Sequence, residues 1–335
     1  MRKDRLVGFC TEASGEIGYG HLMECLSLAE YLLQKGLFIK FYINDDTQAI
    51  NFLKGKGIQN AVTEGINQLE KILLQNKPDI CIFNLRSISL EPQEITHRLN
   101  IKTAIIDELG DKGILSDILI NGSAIDEWHR YTYCHTTPLT LFGPKYMIMR
   151  KEFQNYHAKK KTLDLNTVLV TMGGVDRTGT TLKVVKALEI LSKVRKRVVI
   201  GPGFARREEL NKIANELDDS YELIYSSDNM AELLYTSDVA FTAGGNTLYE
   251  TACVGTPVIV LWEDEHEGVQ GTWFERKGVA INLGRGVQVD LEDIEKAAEE
   301  LLSDEDRRRQ MSRKGKSTVD GRGIERVGKV LCGLI

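Results

Sequence analysis

Three short stretches combine glycine with residues that can hold or move charge. Gly18-Tyr19-Gly20-His21 closes a glycine-bearing run from Gly15 to Gly20 and opens a long helical pattern. Gly173-Gly174 follows a strand-like run, and Gly244-Gly245-Asn246-Thr247 follows another, with Glu250 one turn further on. A helix N-terminus offers unpaired N–H groups and a partial positive charge, and glycine lets the backbone come close to an anion. That is phosphate-binding chemistry. Glycine also turns strand ends for steric reasons alone, so a single such turn would say little. Three of them, all at the strand-to-helix edge where open parallel sheets bind ligands, favour a phosphate-bearing ligand.

His21 adds a titratable ring to the first turn of its helix. The positive end of the helix dipole disfavours an imidazolium there, which suits a general base. The other histidines, His97, His129, His135, His157 and His266, sit in helix, linker or acidic-loop contexts and read as structural or exposed. Asn246 and Thr247 can serve as helix caps. Glu250 can stabilise the dipole or accept hydrogen bonds from sugar hydroxyls beside a bound phosphate, and residue type alone leaves both uses open. The acidic run from Glu263 to Glu267, which contains His266, reads as a solvated loop, because adjacent metal ligands would have to converge.

Two common nucleotide motifs are excluded. GEIGYG lacks the GxGxxG spacing, and the next strand runs into INDDTQ without a clean ribose-binding acid. Neither GGVDRTGTT nor AGGNTLYE contains the lysine of a Walker loop.

These residues need a frame. LVGFCTE, LFIKFYIN, PDICIFNL and IKTAIID read as strands. Between them, apolar residues at Leu22, Cys25, Leu26, Ala29, Leu32 and Leu33 mark a helix over 21–35, and INQLEKILLQNK and EITHRLN mark two more. Strands of continuous apolar residues alternating with helices imply a parallel sheet covered on both faces. The rhythm lapses after Asp126, and a domain junction is expected in the stretch 144–165. Within that stretch the basic run HAKKKT reads as a solvated linker. The alternation then restarts with NTVLVTMGG, KRVVIGPG, YELIYSS, DVAFTAGG and TPVIVLWE. The expected organisation is two Rossmann-like domains, 1–150 and 151–335, with the terminal helix DGRGIERVGKVLCGLI able to pack on either.

The totals agree with that organisation. The chain has 335 residues, enough for two domains, and 42% hydrophobic residues, enough for substantial cores. A net charge of −5 without a dominant basic block argues against nucleic acid as partner. The six cysteines show no CxxC spacing, as expected of reduced thiols in a cytoplasmic protein. MRKD leads directly into a strand pattern, and no apolar run reaches bilayer length, so neither a signal peptide nor membrane insertion is expected.

Four stretches in this order carry a family resemblance: GEIGYGH, GPKYMIMRKEF, TMGGVDRTGTTLKVVKAL and NMAELLYTSDVAFTAGGNTLYETACVGTPVIV. Together they resemble the UDP-sugar hydrolase of the pseudaminic acid pathway and its kin, which include spore-coat polysaccharide proteins and domains fused to sialic-acid-type cytidylyltransferases. More distant kin are the inverting N-acetylglucosaminyltransferases of peptidoglycan synthesis. The resemblance implies a GT-B-like α/β fold, two Rossmann-like domains around an interdomain cleft, with the nucleotide held mainly by the second. It implies inverting cleavage of a UDP-sugar to UDP and free sugar, with no metal or other cofactor. On matching positions His21 would activate water, Gly18, Tyr19 and Gly20 would line the sugar side, and Gly173 and Gly174 would face the ligand. Gly244, Gly245, Asn246 and Thr247 would receive the diphosphate, and Glu250 would bind ribose.

Two stretches depart from the pattern. Asn84-Leu85-Arg86 stands where the hydrolases carry an acid and a tyrosine, and Trp262-Glu263-Asp264-Glu265 stands where kin carry an amide pair. Both face sugar or acceptor in kin, so a different sugar or acceptor is expected. Three functions follow: a nucleotide-sugar hydrolase for nonulosonic acid synthesis, a glycosyltransferase of the same fold, or a non-catalytic nucleotide-sugar-binding protein.

Overall fold

The computed structural model describes residues 5–14, 18–62, 66–162, 166–201, 203–204, 206–214, 217–225, 227 and 229–335. Two compact units emerge: Met1–Arg150 together with Arg322–Ile335, and Lys151–Gly321.

In the first unit β1 (Leu6–Thr11), α1 (Gly20–Gln34), β2 (Phe38–Ile43), α2 (Thr47–Gly55), β3 (Gln59–Val62), α3 (Ile66–Asn76), β4 (Ile80–Asn84), α4 (Leu90–Arg98) and β5 (Lys102–Ile106) alternate. Four short strands follow: β6 (Lys112–Ile114), β7 (Ile118–Asn121), β8 (Tyr131–Tyr133) and β9 (Leu139–Phe142). Seven strands form one parallel sheet in the order β3-β2-β1-β4-β5-β7-β9, and β6 pairs separately with β8. Side chains alternate across it. Val7, Phe9, Ile80 and Ile82 join one core with Leu22, Cys25, Leu26, Ala29 and Leu32 of α1, while Cys10, Cys81 and Phe83 enter the core on the other face. Full burial of such side chains stabilises by about 1.5–3 kcal/mol each, which fixes α1 on the sheet and sets its first turn above the end of β1.

The second unit opens with α5 (Lys151–His157), β10 (Thr167–Thr171), α6 (Thr180–Ala187), β11 (Arg195–Ile200), α7 (Arg207–Ala214) and β12 (Tyr221–Tyr225). It continues through α8 (Met230–Tyr235), β13 (Val239–Thr242), α9 (Thr247–Val254), β14 (Val258–Trp262), α10 (Glu265–Arg276), β15 (Ala280–Arg285), α11 (Leu291–Ser303) and α12 (Glu305–Thr318). Its sheet is also parallel, in the order β12-β11-β10-β13-β14-β15. The last helix, α13 (Gly323–Leu334), belongs to the first unit, where Ile324, Val327 and Leu331 enter the α1-side core. Gly328 faces the ring of Tyr31 on α1, so closely that a Cβ there would lie 2.3 Å from it.

Three sequence expectations need correction. The stretch after Asp126 is not irregular throughout, since β9 completes the first sheet there. The run HAKKKT is not simply solvated: the Lys161 ammonium reaches the carbonyls of Leu234, Tyr235 and Ser237 and the Thr256 hydroxyl, tying the chain to the C-terminal end of α8. The acidic run from Glu263 is not a loop either. Asp264 and Glu267 close a capping box, so Glu265, His266 and Glu267 form the first turn of α10. Among the described residues no helix is long and apolar enough to cross a membrane.

Candidate functional site

In the first sheet the strand order reverses direction between β1 and β4. Ligands of open parallel sheets sit beyond the strand ends at such a switch point. At this edge Gly18 donates its amide to the Ser14 carbonyl at 2.8 Å, and its φ of +89° is a conformation that a side chain would strain. The Asn44 side chain clamps Ala13 from both sides, accepting its N–H at 2.9 Å and donating to its carbonyl at 2.8 Å. Tyr19 occupies the N-cap position of α1, and its hydroxyl donates to Gln48 Oε1 at 2.8 Å. Open space lies beside Gly20. His21 is the second residue of α1 and half-buried; its Nδ1 is buried and has no hydrogen-bond partner among the described residues. The start of the glycine run, Gly15 to Ile17, lies outside the described residues.

Asn84 ends β4 directly beside Thr11 of β1 and is 2% exposed. Its amide turns toward α1, donating to Glu24 Oε2 at 2.8 Å and lying 3.4 Å from the His21 carbonyl. Two residues on, the Arg86 amide donates to the Glu12 carboxylate. The end of β4 is thus tied to both sides of the β1–α1 turn.

The second sheet switches between β10 and β13, and the other two glycine turns flank that point. After β10, Gly173 adopts φ +79°, with open space beside it and beside Gly174. The carbonyls of both lie against Gly201, where a Cβ would approach them to 2.5 Å, and Gly203 donates its amide to Gly174 at 2.9 Å. The α6 N-terminus beyond this turn is already filled by an anion of the chain itself. Asp176, 4% exposed, accepts the amides of Gly179 at 2.7 Å, Thr180 at 3.0 Å and Thr181 at 2.8 Å.

The turn after β13 differs. Gly244 has φ +112°, and a Cβ there would press on the Glu267 carbonyl at 3.1 Å and on Val260. Gln270, buried on α10, reaches the Gly244 carbonyl at 3.4 Å. Asn246 occupies the N-cap position of α9 but its side chain makes no capping hydrogen bond. Thr247 begins the helix, and Glu250 lies in its first turn. Nearby, Glu267 accepts the amides of Glu263 at 2.9 Å and Asp264 at 3.3 Å, and burial holds its carboxyl above the usual carboxylate range. Burial also raises Glu263, against the pull of Arg177, whose guanidinium stands 4.0 Å from Glu263 and 3.6 Å from Asp264. Among the described residues no three His, Cys, Asp or Glu are grouped to hold a metal ion.

Residues 167–327 match the Glycosyltransferase family 28 C-terminal domain. Spore coat polysaccharide biosynthesis protein SpsG of Bacillus subtilis (strain 168) is 31% identical over 337 residues, covering 97% of both chains. The chain belongs to the SpsG family. An uncharacterized protein of Methanocaldococcus jannaschii is also 31% identical, over 77% of this chain and 56% of its own length. Among solved structures, Acinetobacter baumannii MurG superposes with a TM-score of 0.70 at 14% identity, covering 98% of this chain and 99% of its own. The S. aureus MnaA–UDP co-structure gives 0.65 at 16% identity, covering 99% and 98%. The fold of this SpsG relative is therefore GT-B-like, and the protein is glycosyltransferase-like.

Of the residues singled out by sequence, Gly18, Tyr19, Gly20 and His21 gather at the switch point of the first unit. Gly173, Gly174, Gly244, Gly245, Asn246, Thr247 and Glu250 lie around that of the second. Asn84 and Glu263 are both engaged within their own units, with Glu24 and Arg177 respectively. Sequence reasoning passed over Asp176 and Glu24. Asp176 lies four residues before the first residue of α6, three positions upstream of the N-cap Gly179, where N-cap patterns do not look for a capping acid. Glu24 falls on the apolar face of α1 between Leu22 and Cys25, and a buried acid in that stripe needs a partner.

Proposed function

We propose that the protein hydrolyses a UDP-linked amino-deoxy sugar to UDP and the free sugar, with inversion, as a step toward nonulosonic (pseudaminic- or legionaminic-type) acids. The observation that carries this reading is the position of His21, in the first turn of the helix leaving the switch point of a GT-B-like first unit. Its Nδ1 is the buried ring nitrogen, so Nε2 is assigned to the reacting water. The water oxygen attacks the anomeric carbon while its proton passes to Nε2. The bond from that carbon to the diphosphate oxygen breaks, and the electron pair leaves with UDP.

The second unit supplies the leaving-group half. Gly244, Gly245, Asn246 and Thr247 are assigned to the diphosphate, because the glycine-bearing turn leads into the α9 N-terminus, where the Asn246 side chain makes no capping hydrogen bond. Amides aimed at the departing diphosphate stabilise charge that grows in the transition state. Gly173 and Gly174 leave open space for the ligand, and Glu250 is assigned to the ribose hydroxyls. Uridine is supported by the UDP named in the S. aureus MnaA structure, a protein of the same fold. The family 28 match favours one second reading, transfer of the sugar to an acceptor rather than to water.

The test is incubation with a panel of UDP- and CMP-linked sugars, with products identified by mass spectrometry. UDP and free sugar formed in water alone support hydrolysis, whereas a glycosylated product only when acceptor is present supports transfer. His21→Gln should lower turnover by about 100-fold or more while keeping UDP affinity. A wild-type rate in that variant removes His21 from the mechanism.

A further inference from the structure

We infer that Asn84 and Glu24 form a buried positioning pair that sets the orientation of the His21 turn; the inference rests on His21 being the base. Asn84 is 2% and Glu24 8% exposed, so neither makes its main interaction with solvent. A buried carboxylate and a buried amide are each costly unless paired, and here they meet at 2.8 Å. The geometry gives the pair a direction. Asn84 ends a strand fixed on both sides, by β1 and by β5, whereas Glu24 stands one turn beyond His21 on α1. The same Asn84 nitrogen lies 3.4 Å from the His21 carbonyl. One amide on the rigid sheet therefore holds the first turn of α1 at two points, and the Glu12–Arg86 contact holds the β1 side of the β1–α1 turn.

Side chains on helices and strands are located well enough for catalysis only when a supporting layer locks them. The Nδ1 of His21 has no hydrogen-bond partner among the described residues, so it makes no bond there that would set the ring. Backbone anchoring through Asn84 supplies that control. It also gives the NLRSIS segment a role distinct from sugar contact: Asn84 points into the fold and acts on His21 from behind.

The test uses the full chain with histidine labelled with nitrogen-15, the His21 ring signals being assigned by their loss in His21→Gln. Asn84→Leu, close in volume but unable to donate, should move the His21 ring signals. His129, held by the Ser123 carbonyl at 3.1 Å and stacked on Phe142, should keep its signals. Glu24→Gln still accepts from Asn84 and should stay near wild type, while Glu24→Leu should behave like Asn84→Leu. With a substrate from the panel, Asn84→Leu should lower kcat about 10- to 100-fold and leave KM within about twofold. Unchanged His21 signals in Asn84→Leu overturn the inference, as does an equal shift of all histidine signals, which would mark a general loss of structure. A wild-type rate in His21→Gln alongside a moved ring signal would instead defeat the base assignment and leave the positioning geometry standing.

Discussion

Two helices of the second unit begin at glycine-bearing turns on either side of one switch point; a buried acid takes the first amides of one, and the N-cap side chain of the other makes no capping hydrogen bond. At α6, Asp176 takes three backbone amides and fills the place an external anion would occupy. At α9, Asn246 stands at the cap position without capping. Both stretches look alike in composition, yet one N-terminus is neutralised from within. Glycine content therefore does not identify a phosphate site; what decides is whether the chain brings its own acid to those amides.

That contrast can be broken most severely at α9. Asn246→Asp places a carboxylate where the diphosphate is assigned, and UDP affinity measured by calorimetry should fall on the order of 100-fold. Affinity equal to wild type would remove the diphosphate from that turn. Next in size is the sealed helix. Asp176→Ala leaves three amides without their acceptor, at a cost of about 2–3 kcal/mol, so the thermal midpoint should drop by roughly 4–12 °C. UDP affinity should stay within about threefold, because α6 is not expected to hold the diphosphate; a large loss would assign Asp176 to the ligand.

The smallest effect concerns pH. Burial raises the carboxyls of Glu267 and Glu263 beside the α9 turn. Just above the ordinary carboxylate range the native chain therefore binds more protons than the unfolded one, so stability falls as pH rises through that window. Glu267→Gln keeps the capping reach but not the titration. The slope of thermal midpoint against pH in that window should become shallower, with Glu263 supplying part of what remains. An unchanged slope would show that Glu267 does not titrate there.

Much of this frame was legible from periodicity. The parallel alternation, α1, the glycine turns and the place of His21 all follow from runs of apolar residues punctuated by glycine. The α2–β3 pair was not. Only Ala49 and Leu53 of α2 are buried, too few to show a helical period across nine residues. The acids after β14 were misread because a capping box looks like a charged loop until its reciprocal bonds are seen. Glu24 and Asp176, and the inward contact of Asn84, were hidden for a related reason. Each takes its meaning from a hydrogen bond whose geometry, and for the pair even whose partner strand, depends on the finished fold.

Helix α13 makes the first unit discontinuous along the chain, while the second runs unbroken from Lys151 to Gly321. During synthesis on the ribosome the later unit is therefore fully translated before the earlier one gains Ile324, Val327 and Leu331 of α13. Until then the apolar face of α1 that α13 covers, with Tyr31 against Gly328, stays without that cover.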